Sequence, residues 1–224
     1  MEQKHNKDNS PEFERLKAII DGDGSALRQQ FIYSGLLLTI FERFKDYVER
    51  RVDEFLALRF EVKDGELIFT RSEEFKALIR EKGKGDPGQH GNKVFRAALH
   101  WLHGLDAINQ SEFDHVERLY MLRNDIGHEL FRLVADDTKA PIRIIDVVMT
   151  LAIYVKVVRW WIKEIDAATT MSRKEHENVD WDEVDSSDTA FLRLILKKSL
   201  AGDADWEDLQ RAMQEIADDE FAKR

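Results

Sequence analysis

Apolar residues recur at three- and four-residue spacing over three long stretches of the chain, and each stretch predicts an amphipathic helix. The first starts at Ser25, a capping residue, and runs to Leu58 with Phe31, Leu38, Phe41, Phe44, Val48, Val52 and Phe55 down it. Gly35 weakens this helix and is expected to mark the close approach of a neighbouring one. The second stretch, residues 112–134, carries Phe113, Val116, Leu119, Tyr120, Ile126, Leu130, Phe131 and Val134, with Ser111 as its N-cap and Asp114 three residues on. The third, residues 141–167, takes Asp137 or Thr138 as its cap and places Pro141 in its first turn.

Shorter elements fill the remainder. A helix around Pro11–Ile20 ends at the breaker Asp21-Gly22-Asp23-Gly24. Residues 60–69 read as a small β-hairpin turning at Asp64-Gly65, and a short helix covers 71–82. Residues 83–91 read as a surface linker without the G-x-x-x-x-G-K-[ST] spacing of a phosphate loop, and a helix follows at 92–105. Residues 168–188 are polar and acidic, as a tether would be. Two amphipathic segments close the chain, 189–200 with Phe191, Leu194 and Ile195, and 204–222 with Trp206, Leu209, Met213 and Ile216. Both are expected to pack back onto the body, or else to cover a cleft or a partner site. The fold class is therefore all-α, a bundle of four to five helices with a hairpin insertion and C-terminal amphipathic helices. The expected division is an N-terminal segment 1–24, a helical domain 25–170 and an acidic C-terminal region 171–224.

Composition narrows the classes. No cysteine is present, which excludes disulfides and thiolate metal sites and fits a reducing cytoplasm, the expected location. The first residues hold no apolar stretch of the kind a secretory signal needs. The most apolar run, Ile142–Trp161, contains Arg143, Asp146, Lys156 and Arg159, so a central helix is expected there and not a membrane span. Of the net charge of −10, residues 171–224 carry −7, with 8 Lys and Arg against 15 Asp and Glu. The rest of the chain is near neutral, which excludes a broad basic surface for nucleic acid but not a local basic cleft.

One residue in the second helix breaks its own pattern. Projected at about 100° per residue, the apolar arc of 112–134 centres within roughly 20° of Arg123. A guanidinium cannot shed its charge, so an acidic partner, an interface or an anionic ligand must answer it. His128 lies five residues on, about 140° around the helix, and Asn124 shares its face one turn earlier. Arg123 and His128 converge only if the helix bends at Gly127 or if two copies pair about a two-fold axis. Such a cleft suits a phosphodiester, held by arginine forks while histidines move protons near neutral pH. Glu129 adjoins the histidine and is placed to tune it, and Tyr120 lies one turn before Asn124.

Other residue clusters point to less. His90, His100, His103 and His115 lack the carboxylate spacing of an H-E-x-x-H metal site, and His100 and His103 fall away from the apolar side formed by Val94, Ala98, Leu102 and Leu105. They are expected to face solvent. Trp101, Trp160 and Trp161 are spaced as core residues. No serine stands in a G-x-S-x-G setting, no aspartate cluster matches a two-metal nuclease, and neither cofactor nor metal is expected.

Arg123-Asn124 followed by His128 on a helix of an all-helical chain resembles the HEPN superfamily, whose hallmark is an arginine, four to six residues, then a histidine. The resemblance covers about residues 21–170. It implies a dimeric bundle of four main helices and a metal-independent endoribonuclease, with Arg123 and His128 catalytic and Asn124, Glu129 and Tyr120 in support. Its implied partners are RNA, a second copy of the chain, and an antitoxin or regulatory protein, with toxin or antiviral biology. The subgroup silenced by nucleotidyltransferase antitoxins has a tyrosine two residues after the histidine, where this chain has Leu130. The reading from another class is a non-catalytic dimerisation or regulatory module, with Arg123 in a structural ion pair.

Overall fold

The computed structural model describes residues 24–56, 59–83, 93–135 and 142–200, together with Lys17 and Gly22. The expected helix at 11–20 (Lys17 aside), most of the 83–91 linker, the caps Asp137 and Thr138, Pro141 and the segment 204–222 lie outside them. The described elements are helix α1 (Ser25–Leu56), strands β1 (Arg59–Lys63) and β2 (Glu66–Thr70), and helices α2 (Glu73–Lys82), α3 (Lys93–Gly104), α4 (Gln110–Ala135) and α5 (Ile144–Trp161). Helix α5 continues as a π-helical segment Ile162–Ala167 and a last turn Ala168–Thr170, and α6 (Arg173–Glu177) and α7 (Ser187–Ser199) follow. The architecture is predominantly helical. No described helix is long and apolar enough to cross a membrane.

The two strands pair antiparallel, Arg59 opposite Thr70 and Lys63 opposite Glu66. Their turn needs left-handed backbone at two successive residues, which Asp64 (φ 54°) and Gly65 (φ 83°) supply.

Two compact units share these elements. The first comprises Met1–Thr39, Arg118–Thr150 and Leu194–Arg224. Its described core includes Leu37, Leu119, Ile126, Val147 and Leu200, all buried. Gln30 clips this unit by donating to the Ile142 carbonyl and accepting from the Ile142 amide, both at 3.0 Å. Asp146, 3% exposed, accepts from Arg118 at 2.8 Å and from the Arg143 backbone amide at 3.1 Å. Burial pushes its carboxyl up, and these hydrogen bonds outweigh that effect and hold it below the usual value.

The second unit comprises Ile40–Glu117 and Leu151–Arg193. Phe41 and Phe44 both meet the edge of Phe95, with ring centres 5.9 and 6.0 Å apart, and Tyr154 joins Phe44 at 5.7 Å. A second aromatic group gathers Phe55, Trp101, Trp160 and Trp161. Burying a ring of this size contributes about 1.5–3 kcal/mol, and edge-on contacts add to it. Buried charges are answered: Arg96 by Glu117 at 2.7 Å, Glu112 by Lys156 at 2.7 Å. Helices α2 and α3 pack together. Gly83 caps α2 where an added Cβ would stand 2.6 Å from the Lys93 carbonyl oxygen, so this linker residue is pinned by a close approach.

Several expectations need correction. Gly35 faces outward and an added Cβ would meet nothing within 4 Å, so no neighbour explains it. Ser111 does not cap α4. Asn109 accepts from the Glu112 amide at 2.9 Å while Glu112 accepts from the Asn109 amide at 2.7 Å, a reciprocal box two residues earlier. Helix α5 begins at Ile144 and not at residue 141. His100 and His103 do not face solvent but are half-buried, with Phe113 at 4.8 and 5.5 Å. Residues 168–188 are folded: Ser172 and Glu175 form a capping box, Arg159 Nε donates to the Val184 carbonyl at 2.8 Å, and Trp181 stacks on His176. On α7 the buried positions are Thr189, Leu192 and Leu196, with Leu200 buried just past its end, whereas Phe191 and Leu194 are 58% and 51% exposed.

Candidate functional site

Helix α4 runs as α-helix from Gln110 to Ala135 without interruption at Gly127. Arg123 and His128 therefore stay about 140° apart around it, and a bend does not bring them together. Arg123 is half-buried, flanked along the sequence by Leu119, Tyr120 and Ile126, all buried. Its Nη1 donates to Asn124 Oδ1 at 2.9 Å. Asn124 lies about 100° from Arg123 and about 40° short of His128, so this hydrogen bond draws the guanidinium towards the histidine's side of the helix. Asn124 and Asp125 are partly exposed, and Met121, which shares the Asn124 and His128 face, is 43% exposed.

The sequence-predicted residues separate as follows. Arg123 and Asn124 are joined by a hydrogen bond. Tyr120 is a buried position. His128 and Glu129 belong to α4, and their side chains fall outside the described residues. Among the described residues, no group of three or more His, Asp or Glu is placed to hold a metal ion.

Two further arrangements escape a reading by motif. In the first unit, Arg118 and Arg143 both reach Asp146, at 2.8 and 3.4 Å, while about half or more of each guanidinium side chain stays exposed. The Arg143-x-x-Asp146 spacing was a usable signal for half of it. In the second unit, Tyr154 donates to Asp188 Oδ2 at 2.6 Å and Arg43 Nη2 donates to Asp188 Oδ1 at 2.8 Å. Burial and the neighbouring Asp188 carboxylate push the Tyr154 phenol well above its ordinary range, so it stays a donor. This trio borders an open cleft whose wall includes Tyr47, Arg50 and Arg51. Set against family models, curated proteins and solved structures, the chain matches none.

Proposed function

We propose that this protein is an endoribonuclease of HEPN type, active as a homodimer in which the Arg123, Asn124 and His128 face of α4 meets its twin. The supporting observation is the Arg123–Asn124 hydrogen bond at 2.9 Å, which fixes a half-buried guanidinium against a residue one turn from His128. Pairing two such faces supplies two guanidiniums for one phosphodiester and two imidazoles for its proton transfers.

In this reading the ribose 2′-oxygen attacks phosphorus as one His128 takes its proton. The phosphorus–5′-oxygen bond breaks, and the leaving oxygen takes a proton from the other His128. The products are a 2′,3′-cyclic phosphate and a 5′-hydroxyl. Arg123 holds the phosphate and offsets charge that develops on its oxygens, an effect worth about 2.7–4 kcal/mol per well-placed donor. Asn124 orients Arg123. A toxin or antiviral role, with an antitoxin or regulator as partner, follows from the resemblance. The test is purified protein incubated with single-stranded RNA in EDTA, wild type beside Arg123→Ala and His128→Ala. Cleavage with cyclic-phosphate ends by the wild type alone is the expected result, and identical behaviour of all three ends the proposal.

A further inference from the structure

Helix α1 carries a glycine on its outward side that its own chain does not require. Gly35 costs a helix interior backbone entropy, and an added Cβ there would meet nothing within 4 Å. Four residues before it Phe31 is 51% exposed, and three residues after it Leu38 is half-buried. At about 100° per residue, Arg28, Phe31, Gly35, Leu38 and Glu42 project into one strip about 80° wide. A missing side chain beside an exposed ring lets a second helix approach closely.

The charges on this strip are placed symmetrically about the glycine. Arg28 stands seven residues before Gly35, and Glu42 stands seven residues after it. Arg28 is exposed, and no carboxylate among the described residues pairs with it. The Glu42 side chain is 34% exposed and accepts from Lys45 at 3.3 Å. A carboxylate has about four acceptor sites, so Lys45 does not exhaust it. This symmetry selects one way of pairing two copies of the helix. Side by side and parallel, Arg28 would face Arg28 and Glu42 would face Glu42. Crossed antiparallel at Gly35, each Arg28 faces the partner's Glu42, and two pairs of opposite charge form about one two-fold axis. The same operation lays Phe31 beside the partner's Thr39 and Leu38 beside the partner's Ile32.

We propose that α1 docks a second copy of this chain, the two helices crossing antiparallel at Gly35 with Arg28 of each on the partner's Glu42. The exposed Phe31 supplies the apolar contact beside the crossing, and the charge pairs fix direction and register. This surface uses none of Arg123, Asn124 and His128, so it stands or falls apart from the ribonuclease reading. Where the α1 and α4 faces both pair, four chains associate through two different two-fold axes.

The experiment is light scattering of the whole chain over a micromolar concentration series, without RNA, for wild type, Arg28→Glu and Glu42→Lys. Each charge reversal is expected to halve the mass of the largest species, because like charges then face each other across the axis. A one-to-one mixture of the two variants is expected to restore that mass. One variant then offers two carboxylates where the other offers two cations, and mixing does not mend a chain that has failed to fold. Phe31→Ser, at an exposed position, should weaken association several-fold with an unchanged helical circular dichroism spectrum. A wild type that stays monomeric, wild-type mass in both charge reversals, or a mixture that stays dissociated would each overturn the proposal.

Discussion

Asn124 Oδ1 accepts a hydrogen bond from Arg123 Nη1 at 2.9 Å, between side chains that point about 100° apart on an ideal helix. For two adjacent helical residues to meet, the longer chain must lean round the helix, and here it leans towards the His128 side. Asn124 is thus a positioning residue in the proposed chemistry. Asn124→Ala should reduce RNA cleavage about 10- to 100-fold through a misplaced guanidinium. Folding stability should fall by about 1 kcal/mol or less, since the bond is only partly buried. Rescue by Asn124→Asp, which restores an acceptor, distinguishes orientation from simple packing. Unchanged cleavage by the alanine variant would remove Asn124 from the site.

The start of α4 offers a sharper comparison between two neighbouring polar residues. Asn109 and Glu112 satisfy each other's backbone amides, while Ser111 is exposed. Asn109→Ala should destabilise the fold by about 1 kcal/mol and Ser111→Ala by less than about 0.5 kcal/mol, read from urea midpoints at constant slope. Equal effects would mean that the capping box contributes nothing.

That same comparison shows what the amino-acid order reveals and what it hides. The long helices are legible because a 3.6-residue period survives over many turns, as from Phe41 through Phe44, Val48 and Val52, all buried. The apolar period of α4 starts at Phe113, which draws attention to Ser111, two residues past the cap at Asn109, although Asn109-x-x-Glu112 also fits a capping box. On α7 two apolar rows overlap, Phe191–Leu194 and Leu192–Leu196, and only tertiary packing selects the second. Arg123 and Asn124 could be singled out from one helix, because helical spacing is local information. Arg51 could not: in Glu49-Arg50-Arg51 it reads as a solvated charge, and its position against Trp161 joins residues far apart in the chain.

Two glycines at helix positions should respond oppositely to the same added methyl group. Gly35 sits exposed inside α1, where an added Cβ meets nothing within 4 Å. Gly35→Ala should therefore raise stability by about 0.5–1 kcal/mol, through lower backbone entropy of the unfolded chain. Gly83→Ala would bring its Cβ within 2.5 Å of the Ile79 carbonyl oxygen and 2.6 Å of that of Lys93. Backbone must shift to relieve this, at about 1–3 kcal/mol. Thermal melts of the two variants beside wild type decide it, and a shift in the same direction for both would contradict the geometry.

His100 carries a pH dependence whose sign follows from its surroundings. Burial against Phe113 disfavours its charged form, and Lys82, His103 and Arg96 add to that effect while Glu117 opposes it. The folded-state value therefore lies below the ordinary 6.5. Near that pH the unfolded chain binds more protons at this position than the folded one, so stability rises with pH there. The contribution is fully present above 6.5 and is lost as pH falls from 6.5 through the lowered folded value. Urea denaturation at pH 7.5 and at steps down to about pH 5 should show wild type losing stability that His100→Gln, which has no titrating ring, retains relative to its own value at pH 7.5. Parallel curves for the two proteins would show that the folded environment does not disfavour the imidazolium.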